Sequence, residues 1–144
     1  MYSKVLLAVD GSENNKGAAL EAIEICKAFG AKLTAAYVVT DAEVRPNAFG
    51  GDVSAEERKA IAEKGAEGAF EYVIAMANSK GVELQTSVLY GKPLEEIAKI
   101  SGDYDLLVCG SLGRTGLSKA ILGSVSSTLV KSAHCTVLVS RPKQ

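Results

Sequence analysis

The run Leu106-Leu107-Val108-Cys109, with the glycines that follow it, constrains this chain most. Four apolar residues without alternation read as a strand buried on both faces, and Gly110 ends it. Gly113 and Gly116 follow at three-residue spacing. After a mixed segment, Gly123-Ser124-Val125-Ser126 opens a helix that continues through Leu129, Val130 and Ala133. Glycines let the backbone approach a ligand closely and turn several N–H groups into one concavity, which suits an anion. A helix N-terminus adds unpaired N–H donors and about half a positive charge. Ser124 and Ser126 can donate through hydroxyl and amide alike, and Arg114 either reaches a terminal phosphate or stands as a solvated loop residue. The stretch reads as a phosphate site. It has no Gly-Lys-Ser/Thr ending, so it is not a Walker loop, and its spacing fails the G-x-G-x-x-G dinucleotide pattern.

The remainder of the chain alternates strand and helix. Val5 to Val9 is a second unbroken apolar run, ending in Asp10-Gly11-Ser12. A helix is expected from about Glu13 to Phe29, with Ala19, Ala22, Ile23, Cys26 and Phe29 on its apolar stripe and Gly30 as its stop. Leu33 to Val39 is the second strand. Asp41 to Val53 has no periodicity and carries Pro46 and Gly50-Gly51, a long loop that reads either as a lid candidate or as a plain surface loop. Ser54-Ala55-Glu56-Glu57 is a capping box. The helix it opens runs to Lys80, about 40 Å at 1.5 Å per residue, with Gly81 as its stop. Gly65, Gly68 and Ala69 suggest that one flank of it packs closely on a neighbour. Val82 to Leu89 alternates, Val82, Leu84, Thr86 and Val88 against Glu83, Gln85 and Ser87, so it belongs at a sheet edge. Pro93 starts a short helix through Ile97 and Ile100. Leu106 to Cys109 and Thr136 to Val139 are the fourth and fifth strands.

Strands alternating with helices predict an α/β fold with right-handed parallel crossovers. The two unbroken runs belong at the centre and the third strand at an edge. This gives one doubly wound five-stranded parallel sheet, order 3-2-1-4-5, with helices on both faces and a single domain over 1–144. Ligands bind such a sheet beyond the carboxyl ends of its strands where the order reverses, here between strands one and four. Asp10 and Gly110 stand at those ends. Asp10 is the carboxylate expected there, accepting from a ribose hydroxyl or holding Mg²⁺ beside the phosphates, with a capping or turn aspartate before Gly11 as the structural alternative.

Composition excludes several classes. Sixteen basic against seventeen acidic residues leave the chain nearly neutral, with no basic run for nucleic acid or an anionic membrane. Cys26, Cys109 and Cys135 are odd in number and show no C-x-x-C pairing, so neither a disulfide framework nor a zinc site is expected. All three read as buried small hydrophobes. The N-terminal apolar run is too short for a signal peptide or a membrane span, which makes the cytoplasm the expected location. His134, the one histidine, lies away from the crevice, and no Ser/His/Asp or Cys/His nucleophile arrangement can be assembled.

Gly110-x2-Gly113-x9-Gly123-Ser124 resembles the ATP-binding signature of the universal stress protein family, with its spacing matched in full. Val5 to Ser12 resembles that family's opening strand and turn, and Cys135 to Val139 its closing strand. The resemblance implies the same strand order, a homodimer and an adenine nucleotide (ATP, ADP or AMP). It places Ala8 and Asp10 on the nucleoside and the backbone of Val38 on the adenine. Gly110, Gly113, Arg114, Gly123, Ser124, Val125 and Ser126 fall on its ribose and phosphate contacts. Cys109 stands where the family often has methionine. The uncharged edge strand Thr136 to Val139 independently suggests pairing with a second copy.

Three functions compete. The first is a stress-response module that binds ATP, with or without Mg²⁺, and acts by its occupancy. The lack of a base near the phosphates there limits hydrolysis to a slow rate. The second is an adenylyl-transfer enzyme of the same fold. It needs charged residues after the first strand, where Gly11-Ser12-Glu13-Asn14 has no such cluster. A phosphorylation receiver domain fails similarly, since Leu89-Tyr90 stands where its acceptor aspartate would end the third strand. The third is a dimeric scaffold without nucleotide binding, which the intact glycine motif disfavours.

Overall fold

The structure, a computed structural model, describes residues 1–40, 54–111 and 123–141. Five parallel strands form one sheet in the order β3-β2-β1-β4-β5. They are β1 (Lys4–Val9), β2 (Lys32–Val39), β3 (Leu84–Tyr90), β4 (Leu106–Gly110) and β5 (Thr136–Ser140). The α-helices are α1 (Lys16–Phe29), α2 (Ala55–Lys80), α3 (Pro93–Ser101) and α4 (Ser124–Ser132), and a 3₁₀ turn at Glu13–Asn15 precedes α1. The order and the strand–helix alternation are those expected from the sequence.

The crossovers between parallel strands divide the helices between the two faces. Val5, Leu7 and Val9 point to one face, under α1 and α2, and Leu6 and Ala8 to the other, against α3 and α4. This is why β1 reads as an unbroken apolar run: both faces are covered. Leu6, Leu7 and Leu107 are fully buried, each such side chain contributing about 1.5–3 kcal/mol.

The helix ends follow the sequence. Ser54 caps α2, its hydroxyl accepting from Glu57 N–H at 3.1 Å. Gly30 and Gly81 close α1 and α2 in the left-handed conformation, at φ 66° and 69°. Pro93 occupies the first turn of α3. α2 spans 26 residues, about 39 Å, and α1 only 14. Lys80 Nζ meets Glu24 Oε1 at 2.6 Å near the lower ends of the two helices. The surplus length of α2 lies at its N-terminal side, where residues 55–61 are all exposed.

Three expectations need correction. Phe29 does not complete the apolar stripe of α1: it is 47% exposed and meets Tyr2 edge-on, ring centroids 5.4 Å apart. In β3 the apolar set is not the buried set. Val88 and Thr86 are exposed while Leu89 packs into the α3 side. β3 is the edge strand, and its apolar face loses its cover towards the carboxyl end. The small residues of α2 also behave differently from one another. Ala69 does meet Gly11, but a β-carbon on Gly68 would find nothing within 4 Å. The lid candidate Asp41 to Val53 lies outside the described residues.

Candidate functional site

The site begins where β1 and β4 part. Their register runs Val5↔Leu106, Leu6↔Leu107, Leu7↔Val108 and stops. Beyond it Ala8 and Val9 pair only with Ala36 and Tyr37 of β2, while Cys109 and Gly110 pair only with Val139 and Ser140 of β5. A fork therefore opens at the carboxyl edge, at the point where the strand order reverses.

One foot of the fork is the turn after β1. Asp10 Oδ1 accepts from Ser12 N–H at 2.9 Å and from the Ser12 hydroxyl at 2.7 Å, an Asx turn. Gly11 makes the turn possible at φ 77°, a conformation that a side chain disfavours. Asp10 is half-buried and continues the face that carries Ala8. Ala8, Val38 and Cys109 share one apolar cluster on that face, together with Leu129 of α4. Burial pushes the Cys109 thiol up to about 11, so it is a neutral wall residue.

The other foot is stitched together. Ser111 N–H donates to Ser140 O at 2.8 Å, tying the end of β4 to the end of β5. Gly123 N–H donates to Ser111 O at 2.7 Å, so the chain returns to the tip of β4 just before α4 starts. Gly123 is the N-cap of α4, extended at φ −61°, ψ 157°. Within α4 the first amide to find a helix carbonyl is that of Ser127, on Gly123 O at 3.0 Å. Ser124 is exposed. Ser126 is buried, and its hydroxyl donates to Gly123 O (3.0 Å) and towards Ser111 O (3.4 Å).

Ala8, Asp10, Val38, Gly110, Gly123, Ser124, Val125 and Ser126 thus belong to one edge of the sheet or to the helix start beside it. Gly113, Arg114 and Gly116 lie outside the described residues. His134 follows α4 at the opposite edge, its N–H donating to Ser101 Oγ at 2.9 Å. No group of three potential metal ligands occurs among the described residues, so a divalent ion here would depend on Asp10 together with phosphate oxygens and water. No helix among them is long and apolar enough to cross a membrane.

Residues 1–141 match the family model described as the universal stress protein family. The chain belongs to that family. Universal stress protein MJ0531 of Methanocaldococcus jannaschii is 37% identical over 150 residues, covering 100% of this chain and 85% of that protein. UspA of Lactobacillus plantarum, another universal stress protein, has the same fold at a TM-score of 0.70 and 27% identity, covering 97% of this chain and 98% of that one. The fold also matches an Arabidopsis thaliana universal stress protein with AMP bound (TM-score 0.66, 21% identity, 98% and 92% covered). It matches an Archaeoglobus fulgidus one in complex with dAMP (0.70, 19%, 97% and 98%).

Two features of this universal stress protein escaped sequence reasoning. Asn15, only 6% exposed, donates from Nδ2 to Ala8 O at 3.1 Å, inside the fork. Its place in a Glu-Asn-Asn run gave no sign of burial. The second is a cleft of about 490 Å³ on the other face of β1, between α1 and α2, whose walls include Val9, Gly68 and Tyr72. Lys16 at its rim bonds Glu13 at 2.8 Å and lies 5.2 Å from the Tyr72 ring centre.

Proposed function

We propose that this universal stress protein binds an adenine nucleotide, ATP foremost, in the β1–β4 fork, and acts as a regulatory module read through its nucleotide occupancy. The observation that carries this reading is the return of the chain from Gly123 to Ser111. It sets the N-terminus of α4 beside the tip of β4, across the fork from Asp10. The amides of Ser124, Val125 and Ser126 form the first turn of α4, where no helix carbonyl is available to them, and that suits a phosphate. The Ser126 hydroxyl is engaged by the chain, so this residue offers its amide, while exposed Ser124 offers both groups. From the sequence, Gly113, Arg114 and Gly116 are assigned with Gly110 to the phosphate side. Ala8, Val38 and Cys109 supply the apolar wall for the base.

Asp10 presents one oxygen to Ser12, and its carboxylate is the group for a ribose hydroxyl or for Mg²⁺ held through the phosphates. Mg²⁺ takes one or two carboxylates with phosphate oxygens and water, which fits a single aspartate. It would neutralise charge on the phosphates. Hydrolysis in this proposal is slow at most, and occupancy is the signal. The adenine nucleotides held by the Arabidopsis and Archaeoglobus proteins support the ligand class. A homodimer through the open edge of β5 completes the proposal.

Displacement of a fluorescent ATP analogue tests the ligand class. ATP, ADP or AMP should compete for it and GTP should not. Equal competition by GTP, or no saturable binding of the analogue, would overturn the reading.

A further inference from the structure

Asn15 directly precedes α1 but is itself helical, at φ −83°, ψ −16°, as the last residue of the 3₁₀ turn, and its side chain makes no capping bond. The side chain instead reaches back to β1 and donates to Ala8 O at 3.1 Å. A carbonyl only accepts, so the atom facing it is the amide nitrogen.

The direction of that carbonyl gives the bond its meaning. Carbonyls along a strand point alternately to its two neighbours. In β1, Ser3 O accepts from Lys32 N–H on the β2 side, and Lys4 O accepts from Asp105 N–H on the β4 side. Even-numbered carbonyls therefore face β4, and Ala8 O points into the fork. The β1–β4 register ends at Leu7↔Val108, so the ladder supplies no partner one step further on. Asn15 Nδ2 supplies it. A buried carbonyl left unpaired is costly, so without Asn15 the two strands are driven either to zip one step further or to admit water.

We infer that Asn15 is a positioning residue: its side-chain amide ends the β1–β4 ladder at Leu7 and holds the fork open, fixing the turn that carries Asp10. It makes no contact with ligand in this role. Its effect on affinity rests on the nucleotide reading above, whereas its effect on the fork does not.

The test uses Asn15→Leu, similar in size but without a donor, and Asn15→Ser, which keeps a donor. Amide hydrogen exchange of the nucleotide-free proteins is read residue by residue. In Asn15→Leu, amides of 9–12 and 109–111 should change exchange rate by about tenfold or more, with the β2–β3 ladder within about twofold. Asn15→Ser should fall between wild type and Asn15→Leu. AMP titration should show Asn15→Leu about tenfold weaker, partly restored in Asn15→Ser. Unchanged exchange at the fork, or a uniform rise across all strands, would overturn the inference. If Asn15→Leu does not fold, Asn15→Ser decides by the same contrast between fork and β2–β3 amides. If wild type binds no AMP, the nucleotide reading fails, and the exchange pattern still decides the role of Asn15.

Discussion

Gly123 donates its amide proton to the carbonyl of Ser111 at 2.7 Å, which brings the start of α4 onto the tip of β4. Ser126 reinforces the closure, its buried hydroxyl donating to Gly123 O and towards Ser111 O. Ser126→Ala deletes the donor while leaving the helix propensity at least as good. The variant should lose about 1 kcal/mol of stability. It should also bind nucleotide more weakly, since the turn proposed to hold the phosphates is less well registered. Urea unfolding and a parallel binding titration check both.

Gly11 has a different requirement. At φ 77° it sits where an L side chain is strained, while a β-carbon there would meet Ala69 Cβ at 3.4 Å, an ordinary contact. Gly11→Ala should therefore destabilise by about 1–2 kcal/mol through backbone strain rather than through a clash. Trimming the neighbour with Ala69→Gly should not restore it. Thermal unfolding of the single and double variants separates the two causes.

Asp105 ties the amino edge of the sheet together, accepting from Ser3 N–H, the Ser3 hydroxyl and Lys4 N–H at 2.9, 2.7 and 2.9 Å. The Ser3 hydroxyl, then the two amides, hold its carboxyl below the ordinary value of 3.8. A lowered folded value means that its contribution is fully present above that ordinary value. The contribution is lost as pH falls through the lowered one. Asp105→Asn should thus be less stable than wild type at neutral pH, and the gap should narrow below about pH 4. Urea midpoints measured from neutral to acid pH would show this, and a constant gap would contradict it.

The thiols differ in access. Cys26 and Cys109 are 1% and 3% exposed, and burial pushes both up to about 11. Cys135 is half-buried and raised, first by burial and then by the negative charge of Asp105. At pH 8 the native protein should leave Cys26 and Cys109 unmodified by iodoacetamide and alkylate Cys135 slowly. In denaturant all three should react. Peptide mass mapping after a timed pulse reads the order.

Ser140 O faces β4, where it accepts from Ser111 N–H, so the odd residues Val137 and Val139 direct their backbone groups to the open edge. A proline there removes no bond of the internal ladder. Val137→Pro should convert the proposed homodimer to a folded monomer, read as a halved mass by light scattering, with far-ultraviolet circular dichroism retained. A dimer that persists would place the interface elsewhere.

Much of this was legible in the chain. The unbroken runs at Val5 and Leu106 named the central strands because both of their faces are covered. Ser54 and Gly81 bounded α2 through local chemistry that needs no tertiary contact. The face of β3 was not legible, since alternation says which residues share a side and not whether a helix covers it. Gly68 was misread for a related reason: a missing side chain signals either close packing or open space. Asn15 was hidden more deeply. Its bond to Ala8 O exists only because β1 and β4 part after Leu7, a fact of the assembled sheet. Of the candidate site, Asp10, Gly110 and Gly123 could be read from turn and helix-start signals, but the stitch between Gly123 and Ser111 is a backbone bond between residues twelve apart, which the spacing of the glycines between them does not specify.

Isothermal titration of nucleotide-free protein with ATP, with and without Mg²⁺, beside Gly123→Val, tests the central claim most directly. Gly123 is buried and extended at φ −61°, ψ 157°, a backbone conformation open to valine, so the variant places a branched side chain at the start of α4 without requiring a forbidden φ. Saturable one-to-one binding by wild type and its loss in the variant are the predicted result, with tighter binding in Mg²⁺ if Asp10 holds the ion. No binding by wild type, or equal binding by Gly123→Val, would contradict a nucleotide site at the β1–β4 fork.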